Sequence, residues 1–251
     1  MSNPIRIIGV DCATQPRKTG LACARWSGDD LRLEEARRAH PSEPAAAIVA
    51  GWMDTPGPVL LCLDAPLGWP SALARELSGH QAGAGITADA DAMFHRHTDR
   101  VIRERLGKHP LEVGANFIAR TALAAVNLLQ ALRDQSGRAL PLPRVAGPVA
   151  DSAAIEVYPA ALRRVRGWDT RVDVRARLPE AFEGPVPDLS VATDDTLDAA
   201  LCVLAGVDFL AGHAVAPTAD EAALAGREGW IWSADPDPFR REGDRPPRTT
   251  S

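Results

Sequence analysis

Two short apolar runs that each end in an aspartate constrain this chain more than any other feature. Residues 5–12 read IRIIGVDC and residues 58–64 read PVLLCLD. Runs that are apolar throughout, with no polar alternation, belong to strands buried on both faces. Between them lie TGLACARWSG, a turn at Gly28–Asp29–Asp30 and LRLEEARRA, so the first run opens a three-strand antiparallel meander. Residues 43–54 (EPAAAIVAGWMD) have helical spacing, with Pro44 suited to a first turn. The order to this point is β-β-β-α-β.

Residues 65–150 read as a helical insertion. APLGWP forces an irregular turn and HQAGAGITADAD is glycine-rich. A polar helix follows at HRHTDRVIRERLG, and residues 115–135 form the longest apolar-periodic helix. The fifth strand is expected at residues 153–158 (AAIEVY), stopped by Pro159. The last major helix, TDDTLDAALCVLAGVDFLAG, has Thr193 as its N-cap and an acidic first turn that suits the helix dipole. A short WIW strand near Trp230 would add an edge. The pattern predicts one domain over residues 1–235 and a disordered Pro/Arg/Asp-rich tail over 236–251.

Carboxylates fall where these elements end. Asp11 closes the first strand, Asp64 the fourth, and Glu156 lies within the fifth. Asp195 and Asp198, three apart, share one face of the final helix. Each alone has a plainer reading: Asp11 as a turn former, Asp194 as a solvated or capping residue. Together they predict a shared site, because carboxylates converging in a poorly solvated place repel one another unless cations fill it. Hard oxygen donors suit Mg²⁺ or Mn²⁺. Two such ions can activate a water and stabilise a leaving oxygen in phosphodiester hydrolysis.

Arg96, Arg100 and Arg103 fall at i, i+4 and i+7, an arginine stripe that could clamp phosphates or a carboxylate-bearing ligand. The alternative is a solvated face paired internally. Trp69 either stacks on a base or packs beneath its loop, and packing is the preferred reading. His95 and His97 are two apart, which does not bring both to one metal. The loop from Thr14 to Gly20 lacks the spacing of a P-loop.

Composition narrows the classes. No apolar run approaches the roughly 20 residues that cross a bilayer. The N-terminus lacks signal-peptide architecture. The four cysteines are far apart with no CxxC pair, which disfavours a zinc knuckle or a disulfide scaffold and predicts a cytoplasmic protein. The net charge of −5 weighs mildly against tight nucleic-acid binding.

The segments IGVDCATQPRKTGLA, LCLDAPLGWP, RHTDRVIRERLG, IEVYPAALRR, DDTLDAALCVLAG and REGWIW resemble, in order over residues 5–235, the domain-of-unknown-function family number 429, described as predicted RNase H-like nucleases. DDTLDAALCVLA also looks like the last helix of Holliday-junction resolvases. The resemblance implies an α/β fold with an RNase H-like mixed five-stranded sheet (β-β-β-α-β-α-β-α) carrying its helical insertion between strands four and five. It also implies that Asp11, Asp64 and Asp198 or Asp195 are metal ligands with Glu156 close by. Resolvases usually place a glutamate on the fourth strand, where this chain has Asp64.

The expected function is therefore a metal-dependent nuclease acting on DNA or RNA. Asp11, Asp64, Asp195 and Asp198 would hold the ions, Glu156 would be a ligand or water-orienting base, and Arg96, Arg100 and Arg103 would steer the phosphates. The expected partner is nucleic acid and not a membrane. The alternative is a non-catalytic module of the same fold that binds an acidic or phosphate-bearing ligand. A sugar-kinase or actin relative would need a second domain and a second glycine-rich phosphate loop, which the sequence does not offer.

Overall fold

The computed structural model describes residues 4–114, 117–189 and 191–235. The expected tail, and the first residues of the helix expected at 115–135, lie outside the described residues. A five-stranded sheet forms the centre, in the order β3-β2-β1-β4-β5. Its strands are β1 (Ile5–Asp11), β2 (Gly20–Trp26), β3 (Leu31–Arg38), β4 (Val59–Asp64) and β5 (Ser152–Glu156). β1 pairs antiparallel with β2, and β2 with β3, while β1–β4 and β4–β5 are parallel. The turn between β2 and β3 closes with the Ser27 amide donating to the Asp30 carbonyl at 3.0 Å, and Gly28 supplies the positive φ of 94° it requires.

Helices cover both faces. Helix α1 (Ala45–Met53) joins β3 to β4, and α2 (Ser71–Leu77), α3 (Ala90–Phe94), α4 (His97–Leu106) and α5 (Ile118–Ser136) all fall between β4 and β5. After β5 come α6 (Pro159–Arg166), α7 (Arg171–Arg177), α8 (Asp194–Leu210) and α9 (Ala222–Glu228). Alternation along the strands sorts the core into two layers. Ile5, Ile7, Leu60 and Cys62 face α8, whereas Ile8, Val10, Leu61 and Leu63 face α1 and α5. Each fully buried aliphatic side chain in these layers contributes about 1.5–3 kcal/mol.

The mixed sheet and the placement of the insertion agree with expectation. Thr193 caps α8, its hydroxyl accepting from the Thr196 amide at 3.3 Å. Ile231 bridges Glu156 in parallel, so the WIW segment extends the β5 edge by a single bridge. Sequence patterning missed α2, α3, α6, α7 and α9. All five are only five to eight residues long, and such short segments take helical shape from packing and caps more than from intrinsic propensity. The polar helix begins at His97, later than its sequence suggests, because the Asp99 carboxylate accepts from the Arg96 amide at 2.8 Å and makes Arg96 the boundary residue. Among the described residues, no helix is long and apolar enough to cross a membrane.

Candidate functional site

The site forms at the carboxyl ends of the parallel strands, where open α/β sheets bind ligands. Asp11 and Asp64 are register partners at the ends of β1 and β4. Both continue the residue set that faces α8, so both carboxylates project toward that helix. Helix α8 can lie close because glycines floor its bed. A Cβ on Gly9 would sit 2.0 Å from the Ala199 carbonyl oxygen, and one on Gly20 would sit 1.9 Å from that of Asp195. This approach brings the Asp195 and Asp198 turn over Asp11.

The electrostatics record the crowding. Burial pushes the Asp11 carboxyl up to about 8, with Asp198 and Asp195 adding to the shift and Arg171 opposing it. Asp64 is raised well above the usual carboxylate range, again first by burial, then by Asp11, Asp198 and Glu156. Burial and the neighbouring carboxylates also hold the Cys12 thiol protonated. Cys12 is therefore unsuited to act as a nucleophile.

The three carboxylates of the first turns of α8 are each engaged by arginine. Asp198 accepts both Nη atoms of Arg171, at 2.6 and 2.7 Å. Asp195 accepts from Arg38 at 3.4 Å. Asp194 pairs with Arg171 and Arg175 on the outer side, as a capping-turn residue would. Among the described residues, no three His, Cys, Asp or Glu side chains close on one point to hold a metal ion. The donors nevertheless fit a hard divalent cation in kind: Asp11 and Asp64 are adjacent and oxygen-bearing, and among the described residues neither is ion-paired with a cation of its own. Asp198 and Asp195 lie close enough to raise Asp11, but they are engaged with Arg171 and Arg38.

Glu156 has a different setting. Its strand neighbours Ile155 and Val157 face α8, so by alternation Glu156 belongs to the opposite face from Asp11 and Asp64. There its two oxygens accept from Arg96 Nη1 and Nη2, each at 2.7 Å, and the Leu67 amide adds a third bond at 3.0 Å. Arg96 is 1% exposed and is also held by Asp99 through Nε at 3.1 Å and Nη2 at 2.8 Å. This corrects the expected stripe. Arg96 is a core residue whose guanidinium is consumed internally, and only Arg100 and Arg103 remain on a partly exposed helix face. Arg103 pairs with Asp91 at 3.0 Å, and Arg100 donates to the His95 carbonyl at 3.1 Å.

Sequence reasoning missed Arg38, Arg171, Glu228 and Gly229. The Glu228 carboxylate accepts from the Ser71 and His97 amides, each at 2.7 Å, and its carbonyl accepts from Arg96 at 3.2 Å. Gly229 has a φ of 85°, and a Cβ there would sit 3.0 Å from a Glu156 oxygen. The REGWIW segment carried a signal for this pair, but nothing in its pattern named the partners.

Sheet order, strand directions and a helix whose acidic first turn meets the ends of the two central parallel strands define an RNase H-like α/β protein. More particularly, the chain belongs to the family described as Protein of unknown function (DUF429), whose model matches residues 9–222. No curated protein matches it. Among solved structures it is similar to T. thermophilus RuvC in complex with Holliday junction substrate, at 14% identity, covering 79% of this chain and 91% of that one, with a TM-score of 0.28.

Proposed function

We propose that this protein is a Mg²⁺- or Mn²⁺-dependent hydrolase of phosphodiester bonds in DNA or RNA. The observation that carries the reading is the Asp11–Asp64 register pair, crowded by the first turn of α8, with both carboxyls pushed up first by burial and then by neighbouring carboxylates. Asp11 and Asp64 would hold the ions, with Asp198 and Asp195 joining as Arg171 and Arg38 release them. Bound ions would supply water activation and stabilisation of the leaving oxygen.

The chain's own groups set the conditions. Near neutral pH a proton occupies Asp11 when no cation does, so metal binding releases protons and tightens as pH rises. Arg171 and Arg38, once freed, would face the anionic substrate. Arg100 and Arg103 would steer the phosphates, whereas Arg96 and Glu156 act as positioning residues that hold the insertion against the β5 edge.

Thermal melting with Mn²⁺ tests the reading directly. Ions that bind only the folded state stabilise it by about 2.7 kcal/mol at a hundredfold excess over Kd. Asp11→Asn should remove most of the Tm rise, and an unchanged rise would take Asp11 out of the site. A manganese assay on single-stranded, duplex and branched substrates should show cleavage that Asp64→Asn abolishes. A metal-induced Tm rise with no cleavage of any substrate would favour a non-catalytic module for a phosphate-bearing ligand. The arginines already seated on Asp195 and Asp198 support that second reading.

A further inference from the structure

The geometry points to a substrate of nucleotide size, a free strand end or a short oligonucleotide, rather than the interior of a long strand; this rests on the hydrolytic reading above. Asp11 and Asp64 floor a cavity of about 250 Å³. Leu111, Ile118 and Thr121 from the insertion line one side, and the ion-paired Arg96, Asp99 and Glu156 give it a polar wall. That volume is just below the range of about 300–1,000 Å³ typical of small-molecule pockets. The carboxylates thus lie within a small cavity partly lined by apolar insertion residues.

A second cavity, of about 320 Å³, shares Cys12 with the first and is lined by small or apolar groups such as Ala45, Ala124, Ala125 and Leu128. Such a surface receives an uncharged flat group, as a nucleobase is, and offers little to a phosphate. A long duplex, by contrast, is gripped through roughly 6–10 phosphates by Lys and Arg. Here Arg96 stays bonded to Glu156 and Asp99, release of Asp195 and Asp198 would free only Arg38 and Arg171 beside the carboxylates, and the chain carries a net charge of −5.

The test compares thymidine 5′-p-nitrophenyl phosphate and a pentanucleotide with covalently closed single-stranded and duplex circles, all with Mn²⁺. Hydrolysis per bond should be at least tenfold faster on the two small substrates. Nicking of closed circles at an equal rate per bond would overturn the inference. Leu111→Trp and Thr121→Trp fill the cavity; Leu111 is 65% exposed, so its replacement leaves the core intact. Both variants should lose at least tenfold in hydrolysis of the small diester, and in calorimetric binding of thymidine 5′-monophosphate with Mn²⁺, while keeping the manganese-induced Tm rise. Unchanged binding and hydrolysis in the variants, or no binding of the monophosphate by the parent protein, would also overturn it. Absence of the Tm rise in the parent protein would instead sink the hydrolytic reading.

Discussion

At the scale of single residues, Asp11 sets the pH behaviour. Its carboxyl titrates near 8 in the folded chain against 3.8 ordinarily, so between those values the folded state holds a proton that the unfolded state has lost. Asp11 alone should therefore lower the stability of the chelated protein as pH rises from about 4 to about 8, by at most about 6 kcal/mol, and the raised Asp64 adds to the fall. Urea melts across that range with a chelator measure the slope, and Asp11→Asn should make it shallower, leaving the contribution of Asp64, and leave the variant more stable at pH 8. Arg96 has the opposite importance. Removing one partner of a buried ion pair costs about 3–5 kcal/mol, because the other charge is stranded. Arg96→Met should lose about that much in denaturant titration. Arg96→Lys should recover only part of it, since a lysine cannot make the paired bonds to both Glu156 oxygens.

At the scale of elements, the decisive contact is α8 on the sheet. Gly9, Gly20 and Gly206 leave room for it, and a Cβ on Gly206 would reach the Cys62 sulfur at 2.6 Å. At Gly9 the obstructing atom is a backbone carbonyl oxygen of Ala199, which cannot swing aside as a side chain can. Gly9→Ala should cost about 3 kcal/mol, the upper end of the usual range for overpacking, measured by urea unfolding. It should also weaken the manganese-induced Tm rise, because α8 must lift and take Asp195 and Asp198 with it. Strand alternation turns Glu156 toward Arg96: Leu63 is its register partner on β4 and faces α1 and α5, so Glu156 borders the cavity of Asp11 and Asp64 as an ion-paired wall.

At the scale of the whole molecule, distant segments meet at one buried knot. Leu67 from the loop after β4, Arg96 and Asp99 from the insertion, Glu156 from β5 and Glu228 from the end of α9 are joined by hydrogen bonds. The knot fastens the insertion and the chain's later part to the sheet beside the carboxylates, which keeps the cavity in place. With only Arg38 and Arg171 to be freed beside the carboxylates and an acidic net charge, nucleic-acid affinity should depend only weakly on salt. A plot of log K against log salt for a single-stranded oligonucleotide should have a slope no steeper than about −2, equivalent to two or three phosphates at roughly −0.7 each. A slope near −6 would mean a far longer basic track.

The sequence by itself determined the order of the strands, the two aspartates at their ends and the capped acidic helix, because period, turn residues and caps are local properties. It also led to the expectation that Asp11, Asp64, Glu156, Asp195 and Asp198 share one site, through the way such elements stack and through the family resemblance. Only the tertiary structure decided which face each carboxylate takes and which cation it meets. The four-residue spacing of Arg96 and Arg100 reads as one helix face, yet Arg96 is the helix boundary and turns inward to Glu156, 60 residues away. Long-range pairing of that kind follows from register and burial across the sheet, and no local pattern encodes it.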